Sequence, residues 1–337
     1  NALSENLAPS LDLFADVILN PAFPQAELDR IKQEQLARIR REQTSPNAMA
    51  QRVFPRLIYG ENHAYGQGLT GSGTIDSVSN LQRADLVEFM DSWFKPNNAT
   101  LIAVGDTSME ALVPLLEDRF AGWSAGEVPA KNVSDVAHRN QPQIYIIDRP
   151  DSLQSVIYAG HVAPAVDTDS EITIGAMNNI IGGSFTSRVN MNLREDKGWS
   201  YGARTIIQDT DAQRPFYVRA PVQTDRTADS MREIANELRG FVESNPPTRE
   251  ELQKVQDNRS LRLAGQWETN SAVAGSLEEL VRFGYDDDYF DRYAERVQAL
   301  NVEDIAAAAR EVVRPDNLVW LVVGDRARIQ QEIEALG

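Results

Sequence analysis

Apolar residues recur along the chain at two spacings. Leu7, Leu11, Phe14 and Ile18 fall three or four apart and predict one helix face, and Met231, Ile234, Ala235, Leu238, Phe241 and Val242 predict another. Further helices are expected from Glu27 to Glu42, from Glu251 onward and from Glu171 to Ile181. Alternation or short apolar runs predict strands at Ile144 and Ile146, at Ser155 to Gly160, at Thr205 to Gln208 and at Phe216 to Ala220.

Part of this pattern occurs twice. Residues 81–106 and 300–325 match without a gap at an offset of 219. Each reads as an amphipathic helix, then a basic residue and proline (Lys95-Pro96, Arg314-Pro315), then Asn98 or Asn317, an apolar strand and Val-Gly-Asp. The likeness extends upstream, where Glu27-Leu28 after Pro21 and Pro24 parallels Glu251-Leu252 after Pro246 and Pro247. The second copy has a further opening segment of strands and a helix, from about 141 to 226. The first has no counterpart, because the chain begins at its amphipathic helix, so its opening strands and helix are expected to be missing. The fold expected is α+β, with helices on mostly antiparallel sheets, since no regular short crossovers of a parallel sheet occur. The organisation expected is a first, incomplete unit at 1–124, a polar linker at 125–140 and a complete unit at 141–337.

With 337 residues, 42% of them hydrophobic, the chain suits two domains of a globular protein. A net charge of −17 disfavours nucleic acid and anionic membrane as partners. No apolar run is long enough to span a bilayer. The absence of cysteine excludes disulfides, thiolate zinc sites and cysteine nucleophiles.

Candidate chemistry is sparse. His63, His138 and His161 are too far apart in sequence to form a helical metal-binding pair. Gly66, Gly68 and Gly71 fit G-x-G-x-x-G, but Tyr59-Gly60-Glu61-Asn62 ahead of them is turn chemistry rather than a strand, so a flexible loop is expected and not a dinucleotide site. Asp286 to Asp288 reads as a solvated like-charge run. The stretch Gly182 to Ala203 (GGSFTSRVNMNLREDKGWSYGA) differs. Gly182 and Gly183 end a helix, and Arg194 and Tyr201 flank the turn at Gly198. A guanidinium fork and a phenolic hydroxyl on one side of a cleft could anchor a peptide backbone or stabilise an oxyanion. Equally, Arg194 could pair with Glu195 or Asp196 and Tyr201 could be half-buried. The local residues leave both readings open.

At these positions the sequence resembles the inverzincin zinc peptidases of the pitrilysin and insulin-degrading-enzyme type, which include mitochondrial processing peptidase. Asn192-Leu193-Arg194 through Gly198, Tyr201 and Gly202 is similar to the family's arginine–tyrosine segment. Ile58-Tyr59-Gly60 with His63-Ala64-Tyr65-Gly66 is similar to its L-Y-G-x-x-H-P-Y-G loop, and Asn20-Pro21-Ala22-Phe23 to its N-P-x-F segment. In that family two homologous halves, each a duplicated α+β unit, close around an unfolded peptide. One half carries H-x-x-E-H and binds zinc. The other supplies the arginine–tyrosine pair, a role the resemblance gives to Arg194 and Tyr201 as substrate-binding residues. H-x-x-E-H is absent here and would lie upstream of Asn1. Arg38 stands where a zinc-ligating glutamate is usual, and Ile31 at a second usually acidic position, so no metal ligand is expected in this chain.

The expectation is a non-catalytic, substrate-binding half of a zinc metalloendopeptidase acting on unfolded peptides, inactive when isolated. Zinc would come from a catalytic partner half, in the same parent polypeptide or in another subunit. The alternative is a proteolytically inert structural subunit of the same fold. The periplasm is the expected compartment, with the cytoplasm as the other option.

Overall fold

The computed structural model describes residues 1–336. They gather into two compact units, each built from several stretches of sequence. One comprises 1–38, 74–131 and 265–284, the other 39–73, 132–264 and 285 onward.

The second unit holds a five-stranded sheet in the order β1-β5-β2-β4-β3. Its strands are β1 (Gln143–Asp148), β2 (Gln154–Ala163), β3 (Arg204–Ile207), β4 (Arg214–Gln223) and β5 (Val319–Gly324). β1 runs parallel to β5, and every other pairing is antiparallel. This is the α+β arrangement expected from the sequence. Side chains alternate across the sheet, as a strand demands. Ile157, Ala159, Val218, Ala220, Trp320 and Val322 face one core, shared with the helices Glu171–Asn178, Thr227–Val242 and Val302–Val312. Val156, Tyr158, Tyr217, Val319, Leu321 and Val323 face the other, shared with Ala50, Phe54 and Ile58 of the helix Pro46–Tyr59. There Tyr158 and Tyr217 stack with ring centroids 5.2 Å apart.

One buried cation holds the sheet to its helix layer. Arg214, 1% exposed, donates to Glu171 at 2.7 and 3.0 Å, to Asp209 at 2.7 Å and to the Pro164 carbonyl at 3.1 Å. Burial pulls the guanidinium pKa down, but these acceptors outweigh it and hold it above the ordinary value.

The first unit is helical. The helices Leu7–Leu19, Arg83–Trp93, Met109–Phe120 and Asn270–Phe283 lie in it. Phe14 meets Phe120 edge-on at 6.3 Å, and Arg119 pairs with Asp12 at 2.7 Å. Residues 99–104, expected as an apolar strand, form none, and Leu101 is 45% exposed. A strand needs a partner for its backbone groups, and among the described residues nothing pairs with this segment.

Candidate functional site

The site begins where the helix Glu171–Asn178 changes register. It runs on as a π-helical turn, Asn179–Gly183, and Gly182 lies so close to β3 that a Cβ there would sit 2.4 Å from the Thr205 amide nitrogen. Only glycine permits that approach. The chain then turns through Ser184–Ser187, where the Ser187 hydroxyl donates to the Ser184 carbonyl at 2.6 Å. Arg188 fastens the turn. Its guanidinium makes a two-pronged bond to Glu251 at 2.6 and 2.7 Å, donates to the carbonyls of Asn245 and Pro246, and lies over the Phe241 ring. Partial burial pushes the Glu251 carboxyl up, but its bonds from Arg188 and Thr248 prevail and leave it below the ordinary value.

Arg194 belongs to a second π-helical segment, Met191–Asp196. π-turns widen a helix locally and recur at functional sites. This one is docked by Asn192, which donates to Glu233 at 3.0 Å and Glu237 at 2.7 Å. The segment ends as Gly198 takes φ +66, a left-handed conformation that L side chains resist. The following backbone is pinned on either side of Tyr201. Gln223 donates to the Trp199 carbonyl at 3.0 Å, the Ser200 hydroxyl to the Pro221 carbonyl at 2.6 Å, and Ala203 to Asn190 Oδ1 at 3.1 Å. Tyr201 projects from this fixed backbone, 85% exposed.

The two local readings are therefore split. Arg194 does pair with Glu195, Nε to Oε1 at 3.2 Å, but its side chain keeps 39% exposure. Its guanidinium carbon also lies 4.6 Å from the centroid of the Phe185 ring. Tyr201 is exposed rather than half-buried. No hydrogen bond joins Arg194 to Tyr201; what connects them is the Gly198 turn and the backbone around it. Sequence reasoning missed Phe185, Arg188 and Asn190. The serine-rich turn after the paired glycines was the available signal.

The remaining motifs have structural roles. Gly60 ends the helix Pro46–Tyr59 with φ +95. His63 Nδ1 accepts the Tyr65 amide at 3.0 Å, its Nε2 lies 2.8 Å from the Ser134 carbonyl, and its ring stacks on Tyr59 at 5.0 Å. The glycine-rich loop after it is fastened rather than flexible. Arg52 donates to Ser72 and to the Gly73 carbonyl at 2.7 Å each, and Ser72 donates to Glu42 at 2.5 Å.

A family model described as the peptidase M16 inactive domain matches residues 80–259, more than half of the chain. The chain belongs to this family. An uncharacterized zinc protease of Mycobacterium tuberculosis, Rv2782c, is 23% identical over all of this chain and 76% of its own length. The zinc protease YmxG of Bacillus subtilis is 20% identical over 95% of this chain and 76% of its own. Among solved structures, a peptidase M16 inactive domain from Pseudomonas fluorescens superposes with a TM-score of 0.86 at 23% identity, covering 95% of this chain and 75% of that one. The first half of the periplasmic protease PqqL from Escherichia coli superposes at 0.72 and 17%, covering 99% and 75%. The M16 inactive-half fold is thus the fold of this chain.

Zinc, named for the Mycobacterium tuberculosis and Bacillus subtilis relatives, meets no fitting donor set among the described residues. Arg38 is exposed on its helix and cannot ligate a cation. His63 is engaged through both ring nitrogens. His161 is buried, with Nδ1 bonded to the Val162 carbonyl and Nε2 accepting the Arg314 amide. Among the described residues no three His, Asp or Glu side chains converge as a metal-holding group, and no helix is long and apolar enough to cross a membrane.

Proposed function

We propose that this M16 inactive-domain chain is the non-catalytic, substrate-binding half of a zinc metalloendopeptidase that acts on unfolded peptides. Arg194 and Tyr201 grip the peptide backbone near the bond to be cut. A catalytic half, in the same parent polypeptide or a separate subunit, supplies zinc, general base and water. The chain by itself cleaves nothing. The observation that carries this reading is an exposed phenol and a part-exposed guanidinium on a backbone pinned on either side of Tyr201. Such preorganisation avoids an entropic cost when a disordered peptide is bound. We also read the chain as two repeats, 1–124 and 141–337 joined by 125–140, and place it in the periplasm, where PqqL is found.

Complementation tests the reading. The complete half is mixed with its catalytic partner and peptide cleavage is followed. The double variant Arg194→Ala, Tyr201→Phe is expected to lose on the order of a hundredfold in kcat/KM, the worth of one charged and one neutral hydrogen bond. Undiminished cleavage would sink the anchor. A second reading is an inert structural subunit, favoured by the likeness to a chain of Complex III2 from Candida albicans at a TM-score of 0.73 and 14% identity, covering 99% of this chain and 81% of that one. A scaffold would bind no peptide, whereas the proposed half does.

A further inference from the structure

The anchor rests on two more residues. Phe185 occupies the turn between the paired glycines and Arg188, and its ring is 51% exposed. That ring lies 4.6 Å from the Arg194 guanidinium carbon, within cation–π range. Asn190 lies beneath, 3% exposed, and uses both ends of its amide. Its Nδ2 donates to the Phe185 carbonyl at 2.6 Å, and its Oδ1 accepts the Ala203 amide at 3.1 Å. One buried side chain therefore ties the turn that carries Phe185 to the backbone two residues beyond Tyr201.

We propose that Phe185 and Asn190 are positioning residues for the anchor: Phe185 restrains the Arg194 guanidinium, and Asn190 fixes the turn that carries Phe185 against the Tyr201 segment. The proposal rests on the anchoring role above. A free arginine has many rotamers, and binding through it forfeits that freedom. Here Glu195 takes the Nε side and Phe185 takes one face, so the loss is met before a peptide arrives. The asparagine chemistry is specific. An aspartate keeps the acceptor for Ala203 but loses the donor for Phe185.

Two measurements on the whole chain test this. The first needs no peptide. The Nε–H signal of Arg194 in a ¹⁵N–¹H spectrum is expected to show a ring-current shift that disappears in Phe185→Leu and persists in Phe185→Tyr. The second is fluorescence polarisation with a labelled, end-blocked disordered peptide. Phe185→Leu is expected to weaken binding about three- to tenfold, with Phe185→Tyr restoring it. Asn190→Asp is expected to weaken it similarly, and wild-type binding by that variant overturns the part given to Asn190. If Asn190→Asp does not fold, Phe185→Leu, at a half-exposed position, still decides. An unmoved Arg194 signal, or equal affinity of Phe185→Leu and wild type, overturns the proposal. If wild type itself binds no peptide, the anchoring function falls while the spectrum still reports on the contact between Phe185 and Arg194.

Discussion

The two matched segments, 81–106 and 300–325, begin with the same pattern and arrive at different structures. In the second, the helix Val302–Val312 is closed by a reciprocal cap between Asn301 and Asp304 and buries Ile305, Ala308, Ala309 and Val312. The strand after it, β5, lies between β1 and β2, with all six residues buried. In the first, the helix Arg83–Trp93 has a cap of the same kind, with the Asp85 carboxylate accepting the Gln82 amide at 2.7 Å, yet buries no residue. Its following segment pairs with no strand among the described residues. Local pattern and capping are similar. The neighbours are not. Helix signals are written within a few residues, whereas a strand is completed only by its partner's hydrogen bonds.

The largest effect should come from the buried cation of the five-stranded sheet. Arg214→Ala empties a fully buried side-chain site and leaves the part-buried Glu171 carboxylate without its cation, and is expected to cost about 3 kcal/mol in urea unfolding. A loss below about 1 kcal/mol would show that the sheet is not locked to its helix layer as described. Next is a matched pair. Leu321→Ala, at a fully buried strand position, is expected to cost about 2–5 kcal/mol, while Ile102→Ala at the equivalent position costs about 1 kcal/mol or less in this chain. Equal losses would break the comparison. The smallest effect is a pH dependence. Burial is the main cause that lowers the His161 pKa to about 4, with further depression from His138 and Arg314 against a bond to the Val162 carbonyl that raises it. A depressed histidine stays neutral in the folded chain while the unfolded chain takes up a proton, so stability is full above the ordinary value of 6.5 and falls as pH drops toward 4. Because His161 accepts the Arg314 amide, the protection of amides at 319–323, measured against intrinsic exchange at each pH, should fall over that range while protection at 101–104 does not change.

Much of this was legible beforehand, and the divisions have physical causes. Each strand expected between residues 144 and 323 formed, since period-two alternation fixes both faces of a sheet. The helix from Glu171 to Ile181 was placed correctly, but its final turn is π-helical. Paired glycines signal a helix end, not the hydrogen-bond register in which it ends. The strand expected at 99–104 is absent because no residue within the segment can supply its partner. Arg194 and Tyr201 could be marked only through the family resemblance, since the local residues allowed an ion pair and a half-buried ring as well. Phe185 and Asn190 could not. A phenylalanine in a loop and an asparagine in a helix gain meaning only from partners that the turn brings to them. Arg214 was missed for the same reason, as its acceptors come from three separate stretches of chain.

The place of β5 in the sheet also sets the order in which the molecule can be made. Among the described residues β1 pairs with β5 alone, and β2 holds β5 on one side and β4 on the other. A nascent chain therefore emerges with β1 idle and one edge of β2 bare, and residues 149–318 must be synthesised before the gap between them closes. At roughly 5–20 residues per second, that edge waits on the order of ten seconds or more. The final strand acts as a late keystone, and a chain interrupted before Val319 would display two open apolar edges to whatever binds unfinished proteins.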